Sequence, residues 1–501
     1  MAILVAAFLP VAKGAEKIPD KKERHGLEEI SRLLKQIAAT SNPPERRELV
    51  WQLSEVKAAV KNDHRKPVPA YVDFVEFPIL FFDALYNPIG KGRTPATNLA
   101  SSPRDEDLSR LDPIGTTFWK RPSAISAANL STGFGRDERP AYEGVWTYAA
   151  PKKSGRNPGC ALEKDGQRIK IKFAEIHSEP FASRIFDALG YNVDPTDYSP
   201  ALKLKYDRRF FAEFNSRRPM TMSAGVFFIP FYHLNLQAHY NPFRFIDHAV
   251  LKTGESITGD ELESRLTGNS TANPKCPGFV CTDPAFEEQI AYLVTKPANV
   301  QIETPHSHNI GPWDFGHGHE KLRELRGAGL LAAWLGWWDS RFENTRVRIV
   351  KTSEGRALKH YISDLGGGLG KAGGTFKHSC ENTNDFPSSF TKSTISNGHL
   401  HFQIINFEPV ENTPAFAEMT VDDARWMARL IGQLTEQQIT DALAASGFNA
   451  DEVRLYTEKL IARRDKMISD LRLSNEIALL RPAHLPVTAS SSQPKFLSKS
   501  H

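Results

Sequence analysis

Apolar residues recur at helical spacing through the charge-rich segment that opens the chain (Leu27, Ile30, Leu33, Leu34, Ile37), and Pro43-Pro44 divides it into two helical pieces. From Pro67 to Ala141 no period is sustained, and Pro, Gly, Ser and aromatic residues predict strands and long loops laid over another domain. After Tyr142 the pattern shortens to β-like runs: VWTYAA, then two strands closed by the turn Lys164-Asp165-Gly166, the second ending in RIKIKFAE. Lys170 and Lys172 alternate with Ile169, Ile171 and Phe173, so both lysines leave one face of that strand. A helix is expected at once, with Ser178 as N-cap, Pro180 in the first turn, an apolar stripe of Phe181, Ile185 and Leu189, and Gly190 at the C-terminal stop.

A second strong helix is expected over Glu320 to Trp338, with Leu322, Leu325, Leu330, Leu331 and Trp334 on its apolar side. Two strands, TRVRIV and RALKHYIS, follow around the turn KTSEG and end at Asp364-Leu365-Gly366. A last helical block runs from Thr420 to about Leu471, with capping-box patterns at Thr420/Asp423 and Thr435/Gln438 and a stop at Gly447. The Ser- and Pro-containing tail has a composition that does not build a core.

Composition narrows the function classes. The 501 residues are 40% hydrophobic and 24% charged, and 63 basic against 59 acidic side chains leave a net charge of +4, an ordinary globular balance. Nothing in that balance advertises a nucleic-acid partner. The apolar run in Met1–Ala15 has the length of a signal-peptide core but lacks a basic lead, so a cytoplasmic and an exported location both stay open; no later segment is apolar for the roughly 18 residues a membrane span needs. Of the four cysteines, Cys276 and Cys281 lie close enough in sequence to bridge in an oxidising compartment, or remain two thiols.

The chemistry concentrates between Asp339 and Gly366. If TRVRIV and RALKHYIS pair as a hairpin, Asn344 at the start of one strand meets Asp364 beyond the end of the other. An amide oxygen and a carboxylate converging there make a hard-oxygen site of the kind Mg²⁺ accepts, and Asp339 in the preceding loop is within reach of a substrate hydroxyl. A rival chemistry lies in His306-Ser-His308 and His317-Gly-His319, with Asp314 between them: alternate strand positions project together, and such a set suits Zn²⁺ in a metal-dependent hydrolase.

The stretch Asp339-Ser-Arg-Phe-Glu-Asn344 resembles the catalytic-loop Asp and metal-binding Asn of protein kinases, and Ile362-Ser-Asp364-Leu-Gly366 resembles the strand leading into their metal-binding Asp-Phe-Gly motif. Ala188-Leu-Gly-Tyr191, His319-Glu-Lys-Leu-Arg-Glu-Leu-Arg-Gly327, Ala333-Trp-Leu-Gly-Trp-Trp-Asp339 and Ile461-Ala-Arg-Arg-Asp465 look like pieces of a bacterial branch of atypical kinases related to the HipA-like and CotH-like groups. The likeness spans about residues 110 to 470. Trp337-Trp338 stands where protein kinases have His-Arg, and Leu365 stands for their Phe.

The resemblance implies an α+β, bilobal protein-kinase-like fold with an N-terminal helical and extended accessory segment. Its parts are residues 1–66 (apolar segment and helical cap), 67–141 (extended accessory region), 142–305 (N-lobe with insertions), 306–475 (C-lobe) and 476–501 (disordered tail). It implies an ATP- and Mg²⁺-dependent phosphotransferase acting on a hydroxyl of an unidentified protein or small molecule, or a catalytically silent module on the same fold. Asp339 is then the catalytic residue and Asn344 and Asp364 are the metal ligands. Lys172 and its partner Glu179, with Lys153, Gly155 and Gly159 of the preceding Gly/basic segment, hold the nucleotide.

Overall fold

A computed structural model describes residues 21–40, single positions between 42 and 56, and residues 117–152, 157–214, 218–224, 232–238, 240–267, 284–303, 307–311, 320, 322–340, 344–353, 355–371, 379–388, 392–396, 399–403, 416 and 418–480. Lys153, Gly155, Cys276, Cys281, His306, Asp314, His317 and His319 lie outside these residues, as do residues 1–20, 57–116 and 481–501, so the expectations resting on them are not addressed by the structure.

The architecture is mixed α+β. Helix α1 (Lys21–Ala39) precedes β1 (Val145–Pro151), β2 (Gly159–Lys164), β3 (Gln167–Lys172), helix α2 (Ser178–Ala188), β4 (Thr196–Ser199) and β5 (Lys203–Leu204). Helix α3 (Arg208–Phe214), the hairpin β6 (Arg218–Ala224)–β7 (Tyr232–Ala238), β8 (Ile246–Leu251), β9 (Ser256–Thr258), α4 (Gly259–Thr267), the single turn α5 (Pro284–Glu287), β10 (Ile290–Thr295) and β11 (Ala298–Ile302) follow. Nine of these strands form one sheet in the order β4-β11-β3-β2-β1-β5-β10-β8-β9, antiparallel except for the β1–β5 pair. The β2–β3 turn is the expected one, with Asp165 and Gly166 both at positive φ (49° and 78°) as a tight twisted hairpin requires.

A three-stranded sheet joins β12 (Ser307–Gly311), β13 (Thr345–Thr352) and β14 (Gly355–Ile362). The β13–β14 pairing runs from Thr345↔Ile362 to Thr352↔Gly355, which puts residues 344 and 363 side by side at its open end. Helix α6 (Arg323–Leu335) stops earlier than its apolar pattern suggested, because Gly336 turns left-handed at φ 68° and the next two tryptophans leave the helix. After the small hairpin β15 (Lys392–Ser396)–β16 (His399–Gln403) come α7 (Val421–Gly432), α8 (Glu436–Ala445), α9 (Ala450–Asp470) and α10 (Ser474–Leu480). The capping boxes at Thr420/Asp423 and Thr435/Gln438 are both formed, and a third, Asn449/Glu452, starts α9 beyond Gly447 at φ 83°.

Two apolar cores result among the described residues. One lies against the nine-stranded sheet and is built on Trp146, Ile169, Ile171, Phe211 and Leu262. The other is helical and gathers Phe181 and Ile185 of α2, Leu331 and Trp334 of α6, Trp426 of α7 and Leu460 of α9. Ile30, Leu33 and Ile37 of α1 are buried in it as well. Each such side chain contributes about 2 kcal/mol by leaving water. No helix among the described residues is long and apolar enough to cross a membrane.

Candidate functional site

Strand β3 belongs to the sheet core and α2 to the helical core, and the two are joined by only five residues, 173–177. That connection holds the seam between the cores, and the charged groups gather there. Lys172, the last residue of β3, faces Gly159 across the β2–β3 ladder, where a side-chain carbon on residue 159 would lie 2.2 Å from the Ile171 carbonyl oxygen. Its Nζ donates to Glu179 Oε2 at 2.8 Å and to Asp364 Oδ1 at 2.6 Å. Glu179 is the second residue of α2 and is fully buried; its carboxylate also accepts from Asn299 Nδ2, which β11 places directly opposite Lys172.

A third carboxylate closes in from the strand–helix connection. Glu175 sits at φ 53° with its side chain against Gly366, where any Cβ would come within 2.4 Å of Glu175 Oε2. One donor oxygen from each of Glu175, Glu179 and Asp364 lies within 4.8 Å of the others. Glu175 Oε2 is buried and has no hydrogen-bond partner, while the carboxylate receives a hydrogen bond from Asn157. Nearby, Lys152 Nζ donates to the Asn157 carbonyl at 3.1 Å.

Three carboxylates and two lysines share this seam, and their charges do not divide evenly. Burial opposes ionisation of Asp364, but Lys172 and Lys152 outweigh it and hold the group at about 2. Burial, then the neighbouring Asp364 charge, pushes Glu175 up to about 8, and burial likewise raises Glu179. Burial works against the Lys172 charge too, yet Asp364, Glu179 and Glu175 keep this ammonium well above its ordinary value. Lys152 is driven down to about 8 by burial and by the Lys172 charge. One firmly held cation thus faces an excess of acidic groups.

The Asp364 side of the seam is built from backbone pairing. Asp364 adopts φ 57°, and the following glycines lie against the end of α6: the Trp338 amide donates to the Gly367 carbonyl at 3.0 Å and the Leu369 amide to the Leu335 carbonyl at 3.0 Å. Asp339 is half-buried beside Gly367, where a Cβ would sit 3.0 Å from the Asp339 Cβ. The Asn344 Nδ2 donates to the Asp339 carbonyl at 2.8 Å, and the Ser363 amide donates to the Asn344 carbonyl at 2.7 Å. The hairpin therefore brings Asn344 next to the residue preceding Asp364 and ties it to the Asp339 loop.

Of the residues singled out in the sequence, Lys172, Glu179, Asp364 and Gly159 meet directly at the seam, and Asn344 and Asp339 lie at the adjoining end of the hairpin. The histidine segment contributes His308 to β12, opposite Ile349. The structure adds Glu175, Asn299 and Glu381. Glu175 is foreshadowed by the spacing in KFAEIHSE, where two glutamates stand four apart between strand and helix. Asn299 and Glu381 leave no local signal, being more than 100 residues from the groups they bond.

Ser178 also departs from the sequence reading. It is the first helical residue, His177 occupies the cap position without a side-chain cap bond, and the capping acceptor is Glu381, whose Oε1 receives the amides of His177 and Ser178, both at 2.7 Å. Comparison of the chain with family models, curated proteins and solved structures gives no match.

Proposed function

We propose that the protein is an ATP-dependent phosphotransferase of atypical kinase type, acting on a hydroxyl of a protein or small molecule, on a divergent bilobal kinase-like fold. The observation that carries the reading is Lys172 held between Glu179 at 2.8 Å and Asp364 at 2.6 Å, with Asp364 following a hairpin whose same open end carries Asn344 and the Asp339 loop. A lysine fixed by a helix carboxylate beside a second, loop-borne carboxylate suits phosphoryl transfer, which asks the protein mainly for positioning and charge neutralisation.

In this reading Asp339 orients the acceptor hydroxyl and takes up its proton, and Glu179 and Asn299 hold the helix side of Lys172. Lys172, with Lys152 behind it, faces the nucleotide phosphates. Asp364 and Asn344 are the hard-oxygen donors for Mg²⁺, which when bound neutralises phosphate charge. The seam suits such an ion, since Glu175, Glu179 and Asp364 each offer a carboxylate oxygen within 4.8 Å of the others. Catalysis on this scheme rests on the seam staying closed, since Lys172 and Asp364 come from different cores.

Thermal-shift titration with ATP and Mg²⁺, followed by a labelled γ-phosphate transfer assay, tests it. Wild type should be stabilised and should transfer label; Asp364→Ala should lose both, whereas Asp339→Asn should keep the stabilisation and lose the transfer. Absence of any ATP response in the wild type would overturn the reading.

A further inference from the structure

We propose that Glu175 is a direct ligand of a divalent cation bound jointly with Asp364 and Glu179, so that the metal is gripped from the strand–helix connection as well as from the β13–β14 hairpin. It deepens the phosphotransferase reading but does not need phosphoryl transfer to be true, because cation binding is measured without nucleotide.

Distance is the first argument. Oxygens within 4.8 Å of one another are close enough to share one ion after a small movement, since two ligands on one ion are separated by at most about 4.2 Å for Mg²⁺ and about 5 Å for Ca²⁺. The second argument is an unmet valence. Glu175 Oε2 is buried with no hydrogen-bond partner, a costly arrangement for a polar oxygen unless a ligand meets it. That oxygen lies against the Asp364–Gly366 loop, not out toward solvent, because residue 366 has no side chain to push it away.

Charge supplies the third. Three carboxylates converge where Lys172 bonds Glu179 and Asp364, so a further positive charge is favoured beside Glu175. The chemistry of the donors then selects the ion. Carboxylate oxygens without thiolate or imidazole prefer Mg²⁺ or Mn²⁺ over zinc or copper. Glu175 is also the member whose removal tests the idea most cleanly: Asp364 and Glu179 anchor Lys172 directly, and Glu175 makes no hydrogen bond to it.

The probe is Mn²⁺ alone, with free ion followed by electron paramagnetic resonance and the protein by thermal melting, in full-length wild type, Glu175→Gln and Gly366→Ala. Wild type should bind Mn²⁺ without nucleotide. Glu175→Gln should bind it about tenfold or more weakly, while melting in chelator close to the wild-type temperature because the amide keeps the shape of the side chain. Gly366→Ala keeps every carboxylate but places a methyl group where Glu175 Oε2 lies, and should weaken Mn²⁺ in the same direction. Wild-type Mn²⁺ affinity in both variants, or no Mn²⁺ uptake by the wild type, would overturn the assignment. A wild type that takes up Mn²⁺ through Glu175 but transfers no phosphate would leave it standing and remove the phosphotransferase reading alone.

Discussion

The Glu381 carboxylate is the N-terminal cap of the helix that begins at Ser178: its Oε1 accepts from the Ser178 amide at 2.7 Å and from the Ser178 hydroxyl at 2.9 Å. The same hydroxyl lies 2.6 Å from the Gly366 carbonyl, so its one hydrogen is shared between the two oxygens, and the Glu381 amide donates to the Gly368 carbonyl at 3.2 Å. One side chain thus fastens the start of α2, one residue before Glu179, to the glycine loop after Asp364. A carboxylate at that end also meets the positive pole of the helix.

Removing that cap should loosen the seam before it unfolds the protein. Glu381→Ala is expected to cost about 1 kcal/mol, the usual loss for a side-chain cap, and Glu381→Gln rather less, because the amide keeps an acceptor oxygen and loses only the charge. Hydrogen exchange at the amides of residues 177–179 reads the effect directly. Amides that stay as protected in Glu381→Ala as in wild type would show that the capping bonds do not hold the helix start.

Lys172 is the counter-ion that lets Glu179 and Asp364 share a buried space. Replacing it by Met keeps much of the stem and strands two carboxylates, so Lys172→Met should lose about 3 kcal/mol in denaturant melts run in chelator at neutral pH. Paired with Glu179→Gln, the same change should cost distinctly less, since one of the orphaned charges has gone; a coupling of about 1 to 3 kcal/mol is expected for groups in direct contact. Strictly additive losses in the double-mutant cycle would mean that the 2.8 Å pair contributes nothing of its own.

How much of this was legible beforehand depended on how local each cause was. The β13–β14 hairpin, the turn at Asp165-Gly166 and the boxes at Thr420 and Thr435 are set by residues within a few positions of one another, and short-range patterns carry them. The meeting of Lys172 and Glu179 was also readable, because strand and helix are separated by one short connection. The two-residue β5, which slips between β1 and β10 to join two halves of the large sheet, has no pattern of its own, and the place of α1 in the helical core is a tertiary outcome that its amphipathic stripe permits but does not specify. Glu175 escaped because its role depends on a left-handed backbone at a non-glycine residue and on the absence of a side chain at Gly366, almost 200 positions away. Glu381 escaped for the same reason: Ser178 looks like a sufficient cap until the chain folds and a stronger acceptor arrives.

Arg463 joins the long helix α9 to the end of α6, and it does so through backbone carbonyls. Its guanidinium donates to the Trp334 carbonyl at 2.9 Å, to the Pro387 carbonyl at 2.9 Å and to the Ala333 carbonyl, and stacks 4.6 Å from the centre of the Phe386 ring. A lysine carries the charge but cannot present a planar fork to three acceptors, so Arg463→Lys should destabilise by about 2 to 4 kcal/mol, and the Trp337–Asp339 segment that leaves α6 should exchange faster. Urea melts and hydrogen exchange test the two halves of that statement. A loss below about 0.5 kcal/mol would place this arginine among residues of no structural weight.

Glu324, in the first turn of α6, gives the fold a dependence on pH. Its side chain is fully buried and both carboxylate oxygens lack side-chain partners, while the Tyr191 hydroxyl donates to its backbone carbonyl at 2.7 Å. Burial raises it from 4.5 to about 7, against the pull of Arg326 and Arg323 and with a smaller push from Asp423. Because the folded state holds this proton more tightly than the unfolded chain, the penalty is absent below pH 4.5, grows as the unfolded state ionises first, and is complete above about pH 7. The shift corresponds to about 3 kcal/mol at one pKa unit per 1.4 kcal/mol. Glu324→Gln, which keeps the shape and removes the titration, should match wild type in urea melts near pH 4.5 and become progressively more stable than wild type toward pH 8. A difference between the two proteins that stays constant across that range would show that Glu324 does not hold its proton in the folded state.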